Sequence, residues 1–392
     1  MNTATTTAHS EAFTLQDRRA LLDTVTRFAR DEVAPHVTAW DAAGEFPRAL
    51  YRQAADIGLL GLGYPEALGG TPAPCSVRNA VMQTLARVGG SGGVMASLFS
   101  LNIGLPPVLA HGSAALQARV IPAVLRGEAI AALGITEPGG GSDVASLRTT
   151  ARLDGDHYVV NGEKVFITSG MRCDWLTLGV RTGSESKGAS GISMLLVPCD
   201  APGLSRTRLD KMGWLCSDTA HLRFDNLRVP VGHLLGDEGA GFRIIMGNFN
   251  GERLAMSALA LGFAEACYTE ALDWARQRHT FGAALIERQV IRHKLMDMQM
   301  HIQSTQAWVD ALGAQADLGD TGAEWVAGVC LLKNHATQTM QFCADAAVQI
   351  LGGMGYMRGT VSERIYREVK VMTIGGGADE IMKELAARQS GL

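Results

Sequence analysis

An α+β fold, with an α-helical N-terminal domain, a β-barrel-like middle domain and a C-terminal four-helix bundle, is what three features of the 392-residue sequence predict. Apolar residues recur at helical spacing from about Thr14 to Arg126. Between residues 131 and 235 the pattern changes to short alternating runs broken by turn signals. After Gly241 long helical periodicity returns, and the domains expected are therefore 1–130, 131–235 and 236–392.

In the first part, "RRALLDTVTRFARDEVAPHV" and "ALQARVIPAVLRG" put apolar side chains on one face of a helix, with Gly- and Pro-containing breaks between segments. In the middle part, "ARLDGDHYVVNGEKVFITSG" carries Asp154-Gly155 and Asn161-Gly162 as turn signals around alternating runs. "GISMLLVPC" and "TAHLRFDNLRVP" continue the strand pattern. The last part holds "RLAMSALALGFAEACYTEALDWARQRH", "VIRHKLMDMQMHIQSTQAWVDALGAQA" and "AEWVAGVCLLKNHATQTMQFCADAAVQILGG", each long enough to be a bundle strut. Met296, Met298 and Met300 read as core filler rather than as a cofactor box.

Net charge is −4 with 19% charged residues, which argues against a nucleic-acid surface or a polybasic membrane anchor. Residues 1–13 lack the basic and apolar regions of a signal peptide, and no stretch has the apolar length of a membrane span, so a cytoplasmic location is expected. Seven cysteines with no C-x-x-C pair point to reduced thiols. No metal site is expected, since His293 and His301 are not at i,i+4 spacing and no H-E-x-x-H occurs.

Three stretches can carry chemistry. "LGITEPGGGSDVASL" (133–147) offers backbone N–H groups and the Ser142 hydroxyl from a Gly-rich run, though by itself such a run also suits a linker. "NGEKVFITSG" follows about twenty residues later, and two such turns can present Thr136 and Thr168 to one ligand. "IGGGADEIM" (374–382) sets three glycines where backbone can approach a ligand closely, but it has no carboxylate at its tip.

"ITEPGGGSD", "NGEKVFITSG", "KMGWLCSDTAHLRFDNLRVP", "RQRHTFGAALIERQVI" and "QILGGMGYMRGTVSERIYREVK" occur in the order found in the acyl-CoA dehydrogenase family, which the chain resembles from about residue 131 to 381. The resemblance implies FAD between the middle domain and the bundle, with Leu133, Ile135, Thr136, Ser142, Phe166 and Thr168 around the flavin ring. It also implies a homodimer or homotetramer in which Arg278, Phe281 and Gln289 of a neighbouring subunit, with Gln349, Gly352 and Gly353, hold the adenosine diphosphate end. Arg278 would offer a fork of donors to the pyrophosphate. The substrate implied is an acyl-CoA, touched by Ser142, Asn250 and Arg253, and the electron acceptor a protein such as electron-transfer flavoprotein.

The reaction implied removes a proton α to the thioester carbonyl and a hydride from the β carbon. Developing enolate charge needs donors, and by resemblance one is the Gly376 N–H. Many family members carry Y-E-G-T on this turn, its Glu being the base. Here Gly376 stands opposite that Glu, and Ala378 replaces the Thr. Isovaleryl-CoA and long-chain acyl-CoA dehydrogenases instead carry the Glu on a bundle helix, in a segment reading roughly L-x-x-E-R-L. "NFNGERLAM" (248–256) matches it, which makes Glu252 the expected base. Arg253 is expected to orient the segment through a carboxylate. Gly376 is further expected to vacate volume beside the reacting bond, favouring branched or medium- to long-chain acyl groups. Alternatives are an acyl group carried on acyl carrier protein, a flavin monooxygenase of the same fold, and a non-catalytic flavoprotein that binds nucleic acid.

Overall fold

The computed structural model describes residues 13–183 and 188–392; the N-terminal stretch read for leader character lies outside them, apart from Phe13. The N-terminal helices are α1 (Leu15–Phe28), α2 (Val37–Ala43), α3 (Ala49–Asp56), α4 (Cys75–Gly89), α5 (Gly92–Leu98), α6 (Leu101–Gly104), α7 (Pro106–His111) and α8 (Ala114–Leu125). Thr14 starts α1 by a reciprocal cap: its hydroxyl accepts from the Asp17 N–H while the Asp17 carboxylate accepts from the Thr14 N–H. Helix ends elsewhere coincide with glycines in the left-handed region, as at Gly44 and Gly90.

Eight strands follow in one sheet: β1 (Ala131–Gly134), β2 (Thr150–Asp154), β3 (His157–Thr168), β4 (Trp175–Arg181), β5 (Ile192–Pro198), β6 (Leu204–Arg208), β7 (Thr219–Pro230) and β8 (Leu234–Leu235). Their order is β6-β7-β3-β2-β4-β5-β8, with β1 beside β4 in parallel. Asp154-Gly155 does open a tight hairpin, Asp154 pairing with His157. Asn161-Gly162 does not turn the chain. It lies inside β3 at a register shift against β7, and Gly162 (φ 141°) is needed there because a Cβ would fall 2.7 Å from the Thr149 hydroxyl.

The chain then forms α9 (Gly241–Gln277), a short hairpin of β9 (His279–Thr280) and β10 (Ala283–Ala284), α10 (Gln289–Asp317), α11 (Ala323–Leu351), α12 (Val361–Ile374) and α13 (Asp379–Gln389). Alanine, glycine and cysteine fill the contact face of α9, so it lies close to α4 and α11. Of the methionine trio on α10 only Met298 is in the core, while Met296 and Met300 are exposed. Residues two apart on a helix cannot share a face, so the core expectation holds for Met298 and is corrected for Met296 and Met300. The Glu270 carboxylate of α9 accepts from the Val361 and Ser362 N–H groups, fixing the start of α12 and so the height at which the glycine turn emerges. Among the described residues no single helix is long and apolar enough to cross a membrane.

Candidate active site

The last turn of α12 closes with the Gly375 N–H on the Val371 carbonyl, at 2.7 Å. Gly376 and Gly377 then take φ of 67° and 112°, so the chain reverses into α13 where a side chain would be strained. Gly375 itself has φ −67° and needs no glycine for that reason. Two cations from neighbouring helices hold the turn: Arg253 Nε donates to Gly376 O at 2.9 Å and Lys333 Nζ to Gly377 O at 2.8 Å. The Gly376 N–H has no hydrogen-bond acceptor among the described residues.

Glu252 lies three helical turns into α9, adjacent in sequence to the arginine that grips the turn. The residue is half-buried, but its Oε2 is sealed from solvent and has no partner. Burial pushes the carboxyl up to about 7, with Arg253 and Lys333 pulling the other way. Such a group is a poor structural element and a suitable proton acceptor near neutral pH. Arg253, 4% exposed, donates to Gly376 O and to Asn250 Oδ1 (3.0 Å) and lies over the Phe249 ring. Its expected carboxylate partner is therefore replaced by two neutral oxygens. Asn250 is engaged by the second of these bonds, so Arg253 meets the turn directly and Asn250 only through Arg253.

Met256 follows Glu252 by four positions and faces the same way. Its Sδ lies 2.8 Å from where a Cβ on Gly376 would sit. The volume expected to be vacated by glycine is thus taken by a methionine, and the size argument for large acyl groups falls with it.

The sheet contributes a second wall. Leu133 is on β1 and Ile135 just beyond it; the Val165 N–H donates to Thr136 O at 2.9 Å, which sets Thr136 beside Phe166 and Thr168 at the end of β3. Phe166 is 69% exposed with φ 62°, a costly backbone state for an aromatic that leaves its ring outside the core. The loop is pinned from beneath: Lys164, fully buried, donates to Ile135 O and to Glu137, which also accepts from the Arg148 and Thr149 N–H groups. Burial would raise the Glu137 carboxyl, but Lys164 and Thr149 outweigh it and hold it below its usual range. Ser142 is exposed at the loop tip. Loop and bundle meet where Ile135, Leu147 and Ile245 pack against Gly179 of β4.

The remaining predicted contacts lie elsewhere. Arg278 ends α9, 26 residues beyond Glu252, about 39 Å along the helix axis. Near it, Phe281 is 99% exposed at φ 51° on the β9–β10 hairpin, and Gln289 starts α10. Gln349, Gly352 and Gly353 are exposed at the end of α11, Gly352 with φ 61°. An open cleft of about 760 Å³ near this end is lined in part by Trp274, Gln277, Leu351 and Met354.

Models of the acyl-CoA dehydrogenase N-terminal, middle and C-terminal domains match residues 16–128, 132–227 and 239–391. Isobutyryl-CoA dehydrogenase of Dictyostelium discoideum is 33% identical over 95% of this chain and 89% of its own length. The chain belongs to the acyl-CoA dehydrogenase family. A long-chain specific acyl-CoA dehydrogenase of Sus scrofa is 36% identical over 94% of this chain and 85% of its own. A crystal structure described as a putative acyl-CoA dehydrogenase from Mycobacterium smegmatis superposes with a TM-score of 0.93 at 43% identity, covering 97% of this chain and 99% of that one.

As a member of an FAD-dependent acyl-CoA dehydrogenase family, this chain is an oxidoreductase acting on CH–CH bonds. Its residues fit the cofactor. Phe166 presents a strained, uncovered aromatic face near the end of β3, and the Val165 N–H ties Thr136 to the same strand. Two residues at the turn escaped the sequence reading, Lys333 and Met256. A lone lysine inside the apolar run "VAGVCLLKNHA" was the available signal for the first; nothing local marked the second.

Proposed function

We propose that this chain dehydrogenates branched or medium- to long-chain acyl-CoA thioesters, with Glu252 taking the α proton. What carries the reading is a sealed, unpartnered carboxylate oxygen on Glu252 beside a turn that lacks a carboxylate yet presents an unpaired N–H. Bound FAD supplies the hydride acceptor, held by Leu133, Ile135, Thr136, Ser142, Phe166 and Thr168. The Gly376 N–H donates to the thioester oxygen and stabilises charge that grows as the proton leaves. Glu252 accepts that proton from the α carbon, and the packed bundle beneath keeps water from the carboxylate. Arg253 acts on the substrate through the turn it holds, and Asn250 through Arg253, from whose guanidinium its side-chain oxygen accepts. Chain division near residues 130 and 235 is part of the same proposal.

The preference for branched or longer acyl groups rests on the helix-borne base and on relatives named for isobutyryl-CoA and long-chain substrates. A panel of acyl-CoA thioesters mixed anaerobically with the flavoprotein tests it. Isobutyryl-, isovaleryl- or palmitoyl-CoA should bleach the flavin fastest, and an optimum at butyryl-CoA would refute the preference. Electrons would pass on to an acceptor such as electron-transfer flavoprotein. A cytoplasmic setting is part of the same reading, since seven cysteines with no C-x-x-C pair fit reduced thiols.

A homodimer or homotetramer belongs to this reading. With Arg278 about 39 Å along α9 from Glu252, the Arg278, Phe281, Gln289, Gln349, Gly352 and Gly353 set suits the cofactor of a neighbouring subunit better than that of its own chain. Arg278→Ala should therefore lower FAD retention and shift sedimentation toward smaller species together. A stable, FAD-loaded monomer would refute sharing.

A further inference from the structure

Lys333 stands in the middle of α11 with its side chain fully out of water. A buried ammonium is costly unless paired. Its nearest carboxylate, Asp379, is 3.9 Å away, too far for a hydrogen bond, and its close bond goes instead to Gly377 O at 2.8 Å. Arg253 makes the preceding bond, to Gly376 O. The peptide plane that carries the Gly376 N–H is thus bounded on one side by the Gly375–Val371 bond and on the other by two planes that these cations anchor. Peptide planes turn as rigid units, so anchoring the neighbours narrows the directions open to this N–H.

The groups facing Lys333 are Asp379 at the start of α13, Arg253 and Glu252 on α9, and Cys330 on its own helix. Glu252 in turn is faced by Arg253 and Lys333. Of these two cations Arg253, the stronger influence on the carboxyl, spends its donors on the turn and Asn250, whereas Lys333 reaches the turn with one bond and acts on the carboxyl only as a compact charge.

We propose that Lys333 is a positioning residue for the dehydrogenation: together with Arg253 it anchors the turn that aims the Gly376 N–H at the thioester oxygen, and it does so as a cation of the same buried cluster as Glu252. The inference rests on Glu252 as base and Gly376 as donor. It adds a third element, from a helix that carries neither.

The test is Lys333→Met in the FAD-loaded protein, which keeps the length and removes donor and charge. Flavin reduction by a good acyl-CoA should fall about tenfold or more, as for a misdirected oxyanion donor. The acid limb of the pH–rate profile should move to higher pH, because a cation that favours the Glu252 carboxylate is gone. Binding of acetoacetyl-CoA, which has no β hydride to transfer, should weaken in parallel by calorimetry. Lys333→Arg retains the charge and should leave the acid limb in place even if the rate drops.

A Lys333→Met protein with the wild-type rate and an unmoved acid limb overturns the proposal. If that variant does not fold, Lys333→Arg decides: an acid limb displaced upward despite the retained charge overturns it, and failure of both to fold assigns Lys333 to stability alone. Should no acyl-CoA bleach the wild-type flavin, the parent reading fails. Normal wild-type bleaching with an indifferent Lys333→Met removes only this proposal.

Discussion

Glu252→Gln is expected to slow flavin reduction by a good acyl-CoA by a factor of about 10²–10⁴, the usual contribution of a positioned general base. Gln keeps the size and most of the polarity, so FAD content and thioester affinity should stay near wild type. The loss then belongs to the proton-transfer step and appears in the rate constant rather than in binding. Stopped-flow reduction without oxygen measures it, and a wild-type rate would place the base elsewhere.

The same carboxyl sets a pH dependence. It titrates near 7 in the folded protein, raised by burial from 4.5, and only its ionised form can take a proton. Reduction should therefore rise with pH through about 7 and level off above it, and Gln should abolish that limb. Stability carries the opposite sign. Between the unfolded value and about 7 the folded state binds more protons than the unfolded one, so this group costs stability as pH rises through that window, and the cost persists above it. At pH 8 the Gln variant should melt above wild type, a gain in stability bought with lost activity.

Periodicity was enough to order helices, strands and helices, because each segment repeats its apolar residues at the spacing of its own structure. Local chemistry was less reliable. Asp154-Gly155 and Asn161-Gly162 read alike, yet one turns and the other bulges, since only the pairing of β3 with β7 decides whether the chain continues. At the site, Glu252 and the glycine turn could be placed from the resemblance, as both lie in contiguous motifs. The residues that anchor the turn against the bundle could not. Arg253 reaches a carbonyl 123 positions away and Lys333 one 44 positions away. Such contacts depend on how three helices cross, which no segment records by itself.

Gly376→Glu in the Glu252→Gln background is the sharpest test of why the turn lacks its own base. From the sequence, a carboxylate restored at this position should regain activity, because it approaches the same α carbon from the other side. The structure sets two obstacles. Gly376 has φ 67°, a conformation that costs a side chain about 1–2 kcal/mol, and the new Cβ would meet Met256 Sδ at 2.8 Å. The second obstacle is removable, since a thioether near the end of a flexible side chain can move or be cut back. The expected order of reduction rates is therefore Glu252→Gln lowest, Gly376→Glu with Glu252→Gln slightly higher, and the triple variant with Met256→Ala about 10- to 100-fold above the first. Met256→Ala with Glu252→Gln alone should stay at the bottom, because it opens space without supplying a base. If the triple variant holds FAD and binds acyl-CoA but is no faster than Glu252→Gln, the turn does not face the α carbon. If the double variant already recovers fully, Met256 is no barrier and the helix and turn positions for the base are interchangeable in this fold.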